Sequence, residues 1–458
     1  MQPQKLGRAI VGGAAIMGLF VAVASLAWRS RVLLLSYPAP WPDEPLFAAP
    51  AIALLRGHGL GTDLLGDLLP GIGTHTYWVP PLQSLCLAAA FKLSGISLVA
   101  QRATSWIAAW AALALTYVVA RKAGLSRPLG ALAVALVAQD VVFLRGALVG
   151  RMDMIALALL LAATAAHLAA RPFATGLLAG LAVLTHPFAI VPMGVLVAFS
   201  PRRLQLAWGV ALPVLLAVLY ASLDPHAFIG QVGAQLGRKA SHPASLTWDV
   251  AMNLAQYGPG RGIGDVLLRA LTALAVALGA LGLWRLCRPA FAVQIAILFC
   301  IIVGRELWYP LYAVPLTAVG VSALVGDRAR WLAVGGLVLF VAVWACNLAR
   351  TNRLSGGGDY PFLCGEIAAV LPRNATVVVA AIPDPAPGLA LRPDLHLLEF
   401  PPEGLRIDAA RRARHLARAD YAIVSPECPS SEVETRVRES GTLVRDLGPL
   451  RVYRLPRS

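Results

Sequence analysis

The stretch Asp153–Ala170, DMIALALLLAATAAHLAA, carries a single acid at its start and then no Asp, Glu, Lys or Arg until Arg171. A bilayer core needs about 20 mostly apolar residues to cross it as a helix, so a run of this kind reads as a membrane span. Similar runs recur near 9–28, 103–120, 128–144, 173–186, 187–200, 204–223, 266–284, 289–304, 307–326 and 331–349, eleven in all with 154–170. The composition agrees: of 458 residues, 58% are hydrophobic and 14% charged, against about 25% charged in a soluble domain. A soluble globular enzyme and a disordered chain are both excluded. The net charge of +15 is no nucleic-acid signature, because the basic residues stand singly between apolar runs instead of clustering on one polar face.

The average hides two populations. Residues 351–458 hold 14 basic and 13 acidic groups, whereas residues 1–350 hold 25 and 11. The expected architecture is therefore a polytopic α-helical membrane protein of about eleven transmembrane helices plus interfacial helices, over 1–350, with a small C-terminal α/β soluble domain over 351–458. Cytoplasmic loops favour Lys and Arg. Placing Lys5 and Arg8 inside makes Arg121, Lys122, Arg127, Arg171, Arg202, Arg203, Arg285, Arg288, Arg328 and Arg330 cytoplasmic as well, twelve basic residues against the one acid Asp327. The short run Leu82–Leu93 after Pro80–Pro81 is assigned to the outer interface, since counting it as a span would turn the basic loops outward. The first run is read as an uncleaved anchor. These choices place the N-terminus in the cytoplasm, and the C-terminal domain with most acidic residues on the outer side.

Four constellations on that side carry chemistry. Trp41-Pro42-Asp43-Glu44-Pro45 sets two carboxylates at a membrane surface, where partial desolvation suits a general base; Asp43 also fits a helix N-cap before Pro45. In Arg145-Gly146-Ala147-Leu148-Val149-Gly150-Arg151-Met152-Asp153, Arg151 and Asp153 are either a local ion pair or part of a cleft shared with the first loop. Asp140, deeper in the membrane, has Arg145 as a candidate partner. Thr74-His75-Thr76-Tyr77-Trp78-Val79-Pro80-Pro81 reads as an aromatic anchor, with His75 unexplained. Together with His186 and His242 it leaves room for a divalent metal, although no close-spaced ligand pair is present. Arg238, Lys239 and Arg305, with Tyr309 close by, offer either phosphate contacts or snorkelling side chains. Cys364 and Cys428, the two cysteines of the soluble domain, either pair in an oxidising exterior or remain free.

The Pro-Asp-Glu motif in the first outer loop, the Tyr-Trp-x-Pro-Pro-Leu stretch at 77–82 and the Arg-x-Asp at 151–153 together resemble the C-type membrane glycosyltransferases. The similarity is to the bacterial branch related to protein O-mannosyltransferases and lipid A aminoarabinose transferase. Thr185-His186-Pro187 and the Trp-Tyr-Pro-Leu-Tyr run at 308–312 fit the same pattern. The resemblance implies a cell-envelope enzyme of the inner membrane that transfers a sugar, hexose or pentose, from a polyprenyl-phosphate donor. The acceptor would be a lipid, glycan or protein on the periplasmic side, and the transfer would invert the anomeric carbon. It implies Asp43 as base with Glu44 beside it, Asp153 on the acceptor side, Arg151 orienting it, and His75, Tyr77, Arg238, Lys239, Arg305 and Tyr309 as substrate contacts. One position departs: Val79 stands where the aminoarabinose branch has a lysine near the proline that opens the interfacial helix.

The rival reading is a multi-pass transporter or flippase of a lipid or sugar. That class favours internal repeats and matched broken helices, and no repeat is visible here. In the C-terminal domain, Ala375–Ala381 and Tyr421–Ser425 read as strands. Ile407–Arg418 reads as a helix whose arginines, Arg411, Arg412, Arg414 and Arg418, form either a solvated face or a contact for anionic headgroups or an acceptor glycan.

Overall fold

A computed structural model describes residues 19–20, 22–31, 34–36, 38–240, 263–304, 308–326, 359–390, 392–400, 407–426 and 430–456. The expected span at 331–349 and most of that at 9–28 lie outside them. So do His242, Arg305 and Cys428, and the side chains of Arg238 and Lys239.

The chain is mostly helical, with one small sheet near its C-terminus. Helix α1 (Asp43–Leu55) and helix α2 (Pro81–Ser94) flank the loop at 56–80. Helix α3 (Leu98–Lys122) follows, its start capped by Ser97 Oγ accepting from the Ala100 amide at 3.1 Å. Helices α3 and α9 (Arg203–Ala221) are each long and apolar enough to cross a membrane. Along α9, Leu204, Trp208, Leu212, Leu215 and Leu219 are exposed, a face that suits hydrocarbon better than water.

The run at 128–144 is not one straight span. It breaks into α4 (Arg127–Gln139) and α5 (Val141–Ala147), bent by 69° at Asp140. The cause is local: Asp140 is extended, and its Oδ1 accepts from the amides of Val142 and Phe143 at 2.8 and 2.9 Å, which caps a new helix. The remaining apolar segments are shorter than a full crossing: α6 (Asp153–Leu168), α7 (Pro172–Thr185), α8 (Ile190–Ala198), α12 (Arg288–Gly304) and α13 (Val314–Gly326). Between α9 and α12 lie α10 (Pro225–Ala240), a helix at the head of the region expected to be a 224–265 loop, and α11 (Ile263–Leu286).

Helices α11 and α13 cross backbone to backbone. A Cβ on Gly282 would stand 1.9 Å from the Gly320 carbonyl oxygen, so only glycine allows this approach. The main core joins α3 to α6 with α12 and α13, through Ala109, Leu113, Phe143, Leu157, Ile297 and Val319.

The C-terminal region is α/β, as its sequence suggests. Strands β1 (Thr376–Ala380), β2 (His396–Glu399), β3 (Tyr421–Val424), β4 (Thr442–Asp446) and β5 (Arg451–Arg454) form a sheet of order β2-β1-β3-β5-β4. Strand β1 pairs in parallel with β2 and β3, and β5 runs antiparallel to β3 and β4. Val377 and Val379 face one core with Ile367 and Ile423, while Val378 and Ala380 face the other with Leu416 and Val433, the two-sided burial that parallel strands require. The arginine-rich helix spans Ala409–Ala417, but Arg412 does not belong to a solvated face. It is buried, pairs with Glu432 at 2.8 Å and lies 4.9 Å from the Phe400 ring centroid.

This region contacts the segment at 38–64. The Asp384 amide donates to the Pro40 carbonyl at 2.8 Å and the Glu399 amide to the Leu64 carbonyl at 2.7 Å.

Candidate active site

Asp43 is the first residue of α1, not its cap. The N-cap position belongs to Pro42, whose fixed φ of −55° is already helical and which has no side-chain acceptor. Two acids in the first helical turn are favoured by the helix dipole, and the structure then separates their roles.

Glu44 points inward and is fully buried. Its Oε1 accepts from Arg102 Nε at 2.8 Å and from the Gly150 amide at 2.7 Å, while Oε2 accepts from Arg102 Nη2 at 2.7 Å and the Trp41 amide at 3.0 Å. Arg102, equally buried, spends its remaining donors on the carbonyls of Leu34 at 2.7 Å and Pro38 at 3.0 Å. Gln101 adds a second tie, from its amide to the carbonyls of Glu44 at 2.7 Å and Gly150 at 2.8 Å. Gly150 allows this, since a Cβ there would stand 2.5 Å from the Gln101 side chain. With four donors on its carboxylate, Glu44 fastens the segments at Trp41 and Gly150 to α3.

Asp43 turns the other way, and its side chain is 32% exposed. It pairs with Nη1 of Arg151, whose Nε donates to Asp153 Oδ2 at 2.9 Å. The first-loop and second-loop acids thus converge on one guanidinium, which uses both alternatives left open by the sequence: the local pair and the shared cleft. Arg151 is also held by aromatic rings, 4.7 Å from the centroid of Trp308 and 5.0 Å from that of Phe47. Arg145 lies 4.1 Å over the Trp308 ring, and Trp41 meets Trp308 edge-on at 6.3 Å.

Behind this group, Asp153 is nearly buried and its Oδ1 lies 3.7 Å from His186 Nε2. His186 Nδ1 accepts from the Phe188 amide at 3.0 Å, which leaves the proton of a neutral ring on Nε2, facing Asp153. Tyr309 packs edge-on against His186 at 5.4 Å, so it belongs to the same neighbourhood.

His75 and Tyr77 belong to a different cluster. Their rings stack at 6.0 Å, and Tyr77 packs on Tyr220 at 4.9 Å and Phe228 at 5.5 Å. The Tyr77 hydroxyl donates to the Tyr220 carbonyl and accepts from the Asp224 amide, both at 3.1 Å, and burial pushes its pKa upward. Tyr77 is thus fixed by packing and hydrogen bonds within the protein. Among the described residues no three His, Cys, Asp or Glu side chains gather to hold a metal.

A cavity of about 550 Å³ lies between α1 and the C-terminal region. Ile52, Arg56, Leu98, Gln101, Leu398 and Arg418 are among its lining residues.

No family model matches the sequence, and no curated protein matches it either. Solved structures do. ArnT from Cupriavidus metallidurans in its apo state superposes with a TM-score of 0.62 at 18% identity, over 96% of this chain and 98% of that one. The same enzyme bound to undecaprenyl phosphate gives 0.60 at 15% identity, over 97% of each chain. The chain has the C-type glycosyltransferase fold. The apo oligosaccharyltransferase of Archaeoglobus fulgidus, a longer C-type protein, matches at 0.52 and 12% identity over 89% of this chain and 69% of that one. The C-type likeness to ArnT extends through the C-terminal domain, which the sequence motifs do not reach.

Sequence reading missed Arg102, Gln101, Asp384 and Glu399. For the first two a signal existed: a Gln-Arg pair at the head of an otherwise apolar helix needs buried partners.

Proposed function

We propose that the protein is an inverting glycosyltransferase of the inner membrane, using a sugar on a polyprenyl phosphate and acting on the periplasmic side. The observation that carries this is the convergence of Asp43 and Asp153 on Arg151 within a C-type fold. In this reading Asp43 takes the proton of an acceptor hydroxyl. The freed oxygen attacks the anomeric carbon, the bond from that carbon to the phosphate oxygen breaks, and the phosphate leaves with the electron pair. Arg151 is the nearest cation for the developing charge. When a donor phosphate draws it off, Asp43 loses its counter-charge and becomes a stronger base. Asp153, backed by His186, keeps the guanidinium oriented through this exchange. Arg238, Lys239 and Arg305 are proposed as further phosphate contacts. The topology of about eleven spans with N-terminus inside, and the division at 350/351, complete the proposal.

Asp43→Asn is expected to abolish glycan transfer in membranes while undecaprenyl phosphate still binds; full transfer by this variant would rule out Asp43 as base. Mass spectrometry of envelope glycolipids and polysaccharides from a deletion strain would name the missing sugar and its acceptor. The bent helix at Asp140 favours the second reading, a transporter or flippase. That reading requires lipid or sugar movement in proteoliposomes with no glycosylated product.

A further inference from the structure

Gln231 stands on α10 and is fully buried. A primary amide has two N–H donors and a carbonyl oxygen with two lone pairs, and here all four are spent on one stretch of backbone. Its Oε1 accepts from the amides of Tyr77 and Trp78 at 2.7 and 3.2 Å, and its Nε2 donates to the carbonyls of Pro70 and His75 at 2.8 and 2.9 Å. These residues end the loop that runs into α2, so the helix grips that loop by its main chain. Glycines let the two surfaces close. A Cβ on Gly230 would stand 2.8 Å from the Pro70 ring, and one on Gly71 would stand 2.6 Å from the Ala227 Cβ. The Tyr220 hydroxyl adds a further tie, donating to the Thr76 carbonyl at 3.1 Å.

What the grip positions is the next residue. Val79 is buried and packs with Phe47 and Met152, with Trp78 against the same cluster. Phe47 lies one turn along α1 from Asp43, and the Arg151 guanidinium sits 5.0 Å from its ring centroid. Met152 stands in the chain between Arg151 and Asp153. A side chain of α10 therefore reaches the Asp43–Arg151–Asp153 group by a continuous path: hydrogen bonds to 77–78, the covalent link to Val79, and apolar packing on Phe47 and Met152. The same helix carries Arg238 and Lys239, proposed above as phosphate contacts. Val79, the position that departs from the aminoarabinose branch, has a packing role in this chain.

We infer that Gln231 is a positioning residue that ties α10 to the catalytic group, fixing Val79 so that Phe47 and Met152 hold Arg151 in place. The inference rests on the proposed role of Arg151 as the cation for the donor phosphate. Removing the amide frees the main chain at 77–78, Val79 loses its seat, and Arg151 loses support on the side of Phe47. A guanidinium held by its neighbours binds an anion without first having to be ordered, so the grip acts on phosphate affinity. Gln231 works through the loop and is not a group that touches substrate.

Hydrogen–deuterium exchange of the full chain in nanodiscs, without substrate, tests the path. In Gln231→Met, which keeps the shape and loses all four bonds, the amides at 77–78 should exchange roughly tenfold faster, the worth of one net hydrogen bond. Those at 150–153 should loosen with them, while strand β1 stays unchanged. Gln231→Glu, which still accepts from both amides, should recover most of the protection. Val79→Ala should loosen 150–153 and leave 77–78 protected. Unchanged protection at 150–153 in Gln231→Met and Val79→Ala would overturn the coupling. Binding of undecaprenyl phosphate then shows whether the path ends at Arg151. Its affinity should fall roughly two- to thirtyfold in Gln231→Met, and no further when that change is added to Arg151→Met. Additive losses would overturn the positioning role. If the wild type binds no undecaprenyl phosphate the donor reading fails, and the exchange result still decides the tie between α10 and the catalytic group.

Discussion

Arg102 shows how much one side chain can decide. It neutralises Glu44 and ties down the chain at Leu34 and Pro38, so Asp43, the preceding residue, is presented to the cleft by a clamp it takes no part in. Removing one member of a buried ion pair strands the other, at a cost of about 3–5 kcal/mol. Arg102→Met is therefore expected to lower the thermal midpoint of the detergent-solubilised protein strongly. The double variant Arg102→Met with Glu44→Met should recover part of the loss, because no orphaned charge remains. Equal destabilisation in the single and double variants would show that the pair is not the clamp. Asp43, Arg151 and Asp153 were legible as candidates because each stands in a short charged motif between apolar runs. The function of Arg102 was not, since its partner lies 58 residues away and helix packing alone brings them together.

At the scale of elements, the break at Asp140 turns a continuous apolar run into two helices. Asp140→Ala removes the acceptor for two amides and should cost about 1 kcal/mol, measurable as a lower unfolding midpoint. Rescue by Asp140→Asn or Asp140→Ser would identify capping, and not charge, as what matters. The signal for this break was present in the sequence, an Asp directly before Val-Val-Phe. Apolar periodicity outweighed it, because hydropathy cannot distinguish one helix from two that share a face. The strands at 376–380 and 421–424 were readable from their β-branched content, but the antiparallel addition of β4 and β5 was not. Strand β4 is exposed along its whole length and carries no apolar alternation to betray it.

For the whole molecule, the joint between the C-terminal domain and the first loop contains the buried carboxyl of Asp384, which makes its stability depend on pH. An unfolded aspartate releases its proton near its ordinary value of about 3.9, whereas folded Asp384 keeps it up to about 7. The contribution of this group is complete below the unfolded value and is lost as pH rises through the folded one. The thermal midpoint should therefore decline between about pH 4 and pH 7, and Asp384→Asn should flatten that decline. An unchanged slope in the variant would assign the dependence to other groups. Neither Asp384 nor Glu399 could be recognised from sequence, because an Asp before a proline and a Glu ending a strand are ordinary until tertiary packing closes over them.

The same joint is fastened by two main-chain hydrogen bonds, from Asp384 to Pro40 and from Glu399 to Leu64. A bond between peptide groups does not depend on which side chains its residues carry. Mutation can therefore rewrite the surfaces on either side while the two parts stay in register. Such a joint can outlast its own sequence.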